Sequence, residues 1–190
     1  STWEELDAFL STKWKHPLGG EIGIDAAAVD SGNWTQHVYD YTEMVQHRRI
    51  VAIKGQAGPR AIIKASTMRR RNRAATLYIV GVDQAKTDIL VSLPLDKTTV
   101  NSIRLSDTLD EEDMIQLTSE RRVVNIKQGK PVIEFERIDR REAERLDSAV
   151  YALAVKHLLK IDYPARYAAL KATEPAKPTL RSAVSKLHGG

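Results

Sequence analysis

Two acidic residues, Asp30 and Asp147, lie in apolar surroundings, where an unpaired carboxylate is energetically unfavourable. Asp30 ends an apolar run that starts at residue 22, and Asp147 lies along the apolar side of a predicted helix, with Glu144 one turn earlier. An unpaired carboxylate is costly to bury, so such groups normally find a cation or a metal ion. Two carboxylates that meet at one divalent ion would form the centre of a metal-dependent hydrolase.

Each of these acids also has a purely structural interpretation. Asp30 or Ser31 could cap the helix that follows. Asp147 and Glu144 could be acids that the helix dipole favours, paired with nearby arginines. The arginines in reach are Arg140, Arg141 and Arg145. From the residues alone, both interpretations stay open.

Several basic residues could bind a phosphate backbone. Lys54 lies near the end of a predicted strand, and Lys86 lies near the start of a predicted helix. A hairpin tip carries a run of four arginines: Arg69, Arg70, Arg71 and Arg73. These side chains would contact DNA phosphates if they faced the cleft. The alternative is a solvated surface, which is the commoner role of a charge run.

Composition limits the class of protein. The chain has 190 residues, of which 42% are hydrophobic, enough for one sizeable core. No apolar run approaches the length of a membrane span, and the absence of cysteine excludes disulfides and cysteine-based zinc sites. A net charge of +4 permits nucleic acid binding without requiring it. The chain has no P-loop and no G-x-S-x-G motif, which argues against an ATPase or a serine hydrolase within it.

The hydrophobic spacing predicts an α/β fold. A strand at 22–29, a helix at 33–46 and a strand at 49–54 form a βαβ unit with a parallel strand pair. Asp30 then lies at the carboxyl edge of the sheet, where ligands bind in open α/β folds. The other predicted elements are a helix at 1–10, a hairpin of 61–64 with 75–82, a helix at 83–93, a brief strand at 103–105, a helix at 110–119, a hairpin of 123–127 with 132–136, and a long helix at 140–160.

Six segments together resemble the nuclease domain of the large terminase subunits of tailed phages, in the lambda-like GpA family. The resemblance covers residues 1–160, and the order and spacing of the segments carry it. The segments are AVDSG at 28–32, WTQHVY at 34–39, RRIVAIKG at 48–55, VGVDQAK at 80–86, QLTSE at 116–120 and AERLDSAVYALA at 143–154.

The resemblance implies a ribonuclease-H-like mixed sheet, flanked by helices and with an inserted β-hairpin region, that cleaves DNA with Mg²⁺ or Mn²⁺. By position, Asp30 matches the family's second active-site acid and Asp147 its last. Glu144 matches the Glu of an Asn-Glu-x-Leu-Asp stretch, in which Ala143 replaces the Asn. The family's first acid lies on an upstream strand, so we expect the first strand or strands of the fold to be missing from this chain.

The resemblance also implies partners and a setting. It predicts a nuclease domain at 1–160 and a tail at 161–190 that is partly helical and partly flexible. Such a nuclease cuts concatemeric double-stranded DNA in the host bacterial cytoplasm, away from any membrane. Its implied partners are a small terminase subunit, the portal of the procapsid and an ATPase domain on the same full-length chain. Two of three acids bind metal poorly, which favours one alternative: a non-catalytic DNA-binding or docking module of the packaging assembly.

Overall fold

The structure is a computed structural model that describes residues 2–66 and 76–172, without the side chain of Thr2. The described residues divide into two compact units. One unit comprises residues up to Ile24 together with those from Lys160 onward, and the other is Asp25–Leu159. None of the described helices is both long and apolar enough to cross a membrane.

The described part of the smaller unit contains two helices and a short hairpin. Its elements are α1 (Thr2–Leu10), β1 (Lys13–Lys15), β2 (Glu21–Gly23) and α6 (Tyr163–Ala172). The antiparallel strands β1 and β2 are joined by a turn in which Gly19 and Gly20 both have positive φ, a conformation that glycine adopts without a steric penalty. The Phe9 and Trp14 rings meet edge to face at 6.3 Å between centroids.

A four-stranded mixed sheet is the centre of the larger unit. Its strands are β3 (Ala27–Asp30), β4 (Ile50–Gln56), β5 (Ile63–Ala65) and β6 (Leu77–Gly81), in the order β3-β4-β6-β5. Strands β3, β4 and β6 are parallel, and β5 is an antiparallel edge strand. The predicted parallel pair and the predicted inserted hairpin are both confirmed.

Helices cover both faces of this sheet. The helices of this unit are α2 (Thr35–Val45), α3 (Val82–Ser92), α4 (Glu111–Leu117) and α5 (Glu144–Lys156). On one face, α3 and α5 bury an apolar cluster of Ile53, Val80, Ala85, Ile89, Ala143, Leu146, Val150 and Ala154. On the other face, Thr42 of α2 lines a small cavity with Ile50 and Ala52. Because β4 is covered on both sides, it has a nearly continuous apolar sequence.

A second hairpin, β7 (Glu120–Lys127) and β8 (Lys130–Arg137), follows α4. Helix α4 begins with a capping box: the Asp110 side chain accepts the Asp113 N–H at 2.9 Å, and the Asp113 side chain accepts the Asp110 N–H at 3.2 Å. The predicted acidic-headed helix and the predicted hairpin are thus confirmed, with small shifts in their ends.

Three element predictions need correction. Residues 22–29 do not form one strand, because the chain leaves the extended ladder around Asp25, a residue type disfavoured in strands. Residues 103–105 form no strand; the Ile103 N–H instead bonds the Ser92 carbonyl at 3.3 Å. The long helix starts at Glu144 and not at residue 140, since Arg140 has a left-handed backbone with φ of 64°.

Candidate active site

Asp30 is the last residue of β3, and its two carboxylate oxygens have separate partners. Oδ1 accepts the N–H of Gly32 at 2.9 Å, and Oδ2 accepts the hydroxyl of Tyr151 at 3.2 Å. Ser31 donates its hydroxyl to the Ile53 carbonyl at 2.8 Å. Helix α2 has Trp34 as its N-cap and no side-chain cap. The helix-capping interpretation of Asp30 and Ser31 is therefore wrong, and Asp30 is tied to α5 instead.

Helix α5 brings Glu144, Asp147 and Tyr151 to this point, since residues three and four apart lie on one helix face. Its N-terminus has no side-chain cap of its own. Gln116 of α4 instead accepts the Arg145 N–H with its side-chain oxygen at 3.3 Å. This contact fixes the first turn of α5, and with it the carboxylate of Asp147.

Tyr151 can reach Asp30 because β4 has a glycine beneath it. A Cβ atom on Gly55 would lie 3.0 Å from the Tyr151 hydroxyl oxygen and 3.0 Å from Cγ1 of Val82. Both distances are shorter than ordinary van der Waals contacts. The hydrogen bond between Tyr151 and Asp30 therefore depends on the missing side chain at position 55.

A buried lysine lies beside Asp147. Lys86 of α3 is only 8% exposed, and its Nζ lies 2.6 Å from Oε2 of Glu120 and 3.9 Å from Oδ1 of Asp147. Arg137 approaches the other oxygen of Glu120 at 3.7 Å. The structural interpretation that paired Asp147 with Arg140, Arg141 or Arg145 is not what the geometry shows: Arg145 pairs with Asp113, and Asp147 forms its ion pair with Lys86.

Negative charge accumulates at the site. Burial raises the pKa of the Asp147 carboxyl, and Glu120 and Glu144 raise it further, while Lys86 opposes them. Burial also raises the pKa of the Tyr151 phenol, with added contributions from the charges of Asp30 and Asp147. The phenol therefore stays protonated and remains a hydrogen-bond donor to Asp30.

This charge balance suits a divalent cation. Among the described residues, carboxylates outnumber cationic side chains around Asp147 and Tyr151, and a divalent ion would offset this negative charge. The carboxylates are Asp30, Glu120, Glu144 and Asp147, and the cations are Lys86 and Arg137. Among the described residues, no three His, Cys, Asp or Glu side chains are arranged as a complete metal site. Mg²⁺ often takes only one or two carboxylates, with water and substrate phosphates completing its shell, so the donor set fits this ion.

The predicted DNA-binding residues do not all lie near the acids. Lys86 does, but it is buried and paired. Lys54 is exposed and, by strand alternation, points to the face opposite Gly55 and Tyr151. Both Lys54 and Lys64 pair with Ile79, so the two lysines share that opposite face. The four arginines of the predicted tip, Arg69, Arg70, Arg71 and Arg73, lie outside the described residues.

The comparison with known families identifies the family of the chain. A family model of the terminase large subunit gpA endonuclease domain matches residues 1–167. The chain belongs to this family. The family is an endonuclease domain of the phage DNA-packaging terminase, which makes DNA its substrate. The predicted family is thereby confirmed; no curated protein and no solved structure matches the chain.

Two residues of this candidate site were not predicted as functional. Tyr151 was counted only as part of an apolar helix stripe, although its position four residues after Asp147 places both on one helix face. Glu120 was noted only within the segment QLTSE. Its partner, Lys86, lies three residues before the buried Ile89 and directly after the buried Ala85. A lysine on a buried helix face requires a carboxylate partner, and this signal could have led to Glu120.

Proposed function

We propose that this gpA endonuclease domain hydrolyses the phosphodiester bonds of double-stranded DNA with Mg²⁺ or Mn²⁺ bound at Asp30 and Asp147. The observation that carries the proposal is the Tyr151 hydroxyl, which donates to Asp30 from the helix face that also bears Asp147. That bond joins the carboxyl edge of β3 to the first turns of α5. Asp30 and Asp147 supply hard oxygen ligands, and Glu144 lies close enough to add negative charge.

The residues around the metal ligands have separate tasks. Tyr151 fixes the rotamer of Asp30 without adding charge, because its phenol stays neutral. Gly55 leaves the space that the phenol occupies, and Gln116 holds the start of α5. A bound Mg²⁺ or Mn²⁺ would activate a water molecule and stabilise the charge that develops on the leaving oxygen.

We further propose the setting that the family implies. The fold is ribonuclease-H-like, and the cut falls on concatemeric phage DNA in the host bacterial cytoplasm. A small terminase subunit directs the cut, an ATPase domain of the full-length chain moves the DNA, and the tail contacts the portal of the procapsid. Lys54 and the arginines at 69–71 and 73 hold the DNA backbone, so binding is salt-dependent and largely independent of sequence.

The test is nicking of supercoiled plasmid in the presence and absence of Mn²⁺. We expect Mn²⁺-dependent nicking by the full-length wild-type protein and its loss in Asp30→Asn and in Asp147→Asn. Asp107→Asn is the matched control, because Asp107 is an exposed aspartate outside the site. Nicking at the wild-type rate by either the Asp30 or the Asp147 variant would refute the proposal.

A second function is supported by one observation. The two central carboxylates already have protein partners: Asp30 accepts the Gly32 N–H and the Tyr151 hydroxyl, and Lys86 lies 3.9 Å from Asp147. A non-catalytic DNA-binding or docking module would use these carboxylates only for such contacts. This alternative predicts that the protein retains plasmid DNA in a gel-shift experiment with Mn²⁺ without nicking it, and that Asp30→Asn leaves retention unchanged.

A further inference from the structure

The ion pair of Lys86 and Glu120 is unusual because both groups are almost fully removed from solvent. The Lys86 residue is 8% exposed, and so is the side chain of Glu120, with 2.6 Å between Nζ and Oε2. At this distance the ammonium and the carboxylate form a direct, charge-assisted hydrogen bond. Breaking a buried pair by removing one partner leaves a charge that must find another.

The nearest alternative partner of Lys86 is a proposed metal ligand. Nζ of Lys86 lies 3.9 Å from Oδ1 of Asp147, within ion-pair range but too far for a hydrogen bond. The side chain of Asp147 is 41% exposed, so its oxygens are accessible to an ion from solvent. A lysine side chain has a flexible stem, and a small movement would bring its ammonium into contact with Asp147.

We propose that Glu120 is a positioning residue that holds Lys86 back from Asp147 and so leaves the Asp147 carboxylate open to a divalent cation. The inference rests on the proposed metal site and assigns a role to a residue outside it. Without the Glu120 charge, Lys86 turns to Asp147, where its ammonium competes with the metal for the same oxygen. Glu120 thus sets metal affinity through Lys86.

The surroundings of the pair favour this arrangement. Arg137 lies 3.7 Å from the second oxygen of Glu120, which helps to hold that carboxylate in place. The Phe135 ring lies 6.0 Å from Nζ of Lys86, so one side of the ammonium faces an aromatic ring that offers no competing carboxylate. Lys86 can pair with Glu120 or with Asp147. It pairs with Glu120, since Nζ lies 2.6 Å from Oε2 of Glu120 and 3.9 Å from Oδ1 of Asp147.

The experiment measures Mn²⁺ affinity by the electron paramagnetic resonance signal of free Mn²⁺, with no DNA present. We expect Glu120→Gln to raise the Kd for Mn²⁺ about 10- to 100-fold, the usual effect of losing a residue that orients a metal ligand. In Glu120→Gln with Lys86→Met the competing ammonium is gone, so the affinity returns toward the wild-type value. Glu136→Gln is the matched control, because Glu136 lies on the same hairpin in an exposed ion pair with Arg121.

A measurement without metal tests the movement of Lys86 directly. If Lys86 turns to Asp147 in Glu120→Gln, then Asp147→Asn destabilises the Glu120→Gln protein more than it destabilises the wild type. Urea denaturation of the four proteins gives this coupling. Lys86→Met alone is a further variant, and we expect its Mn²⁺ affinity to be no lower than that of the wild type.

The outcomes separate this inference from the proposed function. If Glu120→Gln binds Mn²⁺ like the wild type while Asp147→Asn does not bind, the metal site stands and the role of Glu120 is refuted. The role of Glu120 is also refuted if the double variant binds as weakly as Glu120→Gln, since Lys86 would then not be the competitor. Mn²⁺ binding that is unaffected by Asp147→Asn overturns the metal site, and the inference with it.

Discussion

Replacing Gly55 with alanine tests whether the strand beneath Tyr151 controls the site. The new Cβ would lie 3.0 Å from the Tyr151 hydroxyl oxygen, 3.0 Å from Cγ1 of Val82 and 3.7 Å from Cε1 of Tyr151. Gly55 pairs with Val80 of the neighbouring strand β6, so the backbone at this position has limited freedom to retreat. We expect the phenol to move and its bond to Asp30 to weaken.

The magnitude follows from two opposing effects. Forcing an extra methyl group into a packed region costs about 1–3 kcal/mol. Replacing glycine where φ is not positive returns about 0.4–1 kcal/mol, because the unfolded chain loses freedom. The net expectation for Gly55→Ala is a loss of about 0–2.6 kcal/mol in the free energy of unfolding. Gly23→Ala is the matched control, since its Cβ would meet only ordinary contacts at 3.5 Å or more.

A double-mutant cycle identifies the cause. Tyr151→Phe removes the hydroxyl oxygen, one of the two close contacts, and leaves Val82 in place. Urea denaturation of the single and double variants should show that Gly55→Ala costs less in the Tyr151→Phe background. If the cost is the same in both backgrounds, the contact with Tyr151 is not its source. If Gly55→Ala is as stable as the control Gly23→Ala, the close packing itself is refuted.

Three further predictions concern single groups. Because the pKa of Asp147 is raised from 3.8, the folded protein holds its proton longer than the unfolded chain, so stability falls as pH rises just above 3.8. In Asp147→Asn, the urea midpoint should no longer decrease over this pH range. The pKa of Tyr151 is raised from 10.0, so stability falls as pH rises above 10.0, and Tyr151→Phe should lack this alkaline loss in the same assay. Asp110→Ala removes the capping box of α4 and should cost about 0.5–2 kcal/mol in urea denaturation, whereas an unchanged midpoint would show that the cap is not needed.

The local elements of the fold could be predicted from the sequence because their signals are local. The apolar run before Asp30, the glycines that follow, and the helical spacing after Asn33 were enough to predict β3, α2 and β4 and their parallel pairing. The boundary near Asp25 was missed because one charged residue inside an apolar run is a weak signal beside its neighbours. The start of α5 was missed because the positive φ of Arg140 has no signature in residue type.

The site was harder to predict because its contacts join distant segments. Tyr151 and Asp30 are 121 residues apart, and Lys86 and Glu120 are 34 apart. Residue spacing on a helix shows that Tyr151 shares a face with Asp147, but not which strand that face meets. The family resemblance selected Asp30 and Asp147. Only the structure shows that a phenol joins α5 to the strand that carries Asp30.

The neutral phenol of Tyr151 and the buried ammonium of Lys86 stabilise neighbouring carboxylates in different ways. Like charges brought close in a partly buried site repel each other, and some of the charge must be offset before a metal arrives. Lys86 and Arg137 offset part of it from the side of Glu120. Tyr151 holds the Asp30 carboxylate in position without supplying a positive charge, so it does not weaken the attraction of that carboxylate for a divalent ion. A lysine at position 151 would place a positive charge beside Asp30 and compete with the proposed divalent ion for its carboxylate, whereas a phenol that stays protonated and uncharged does not.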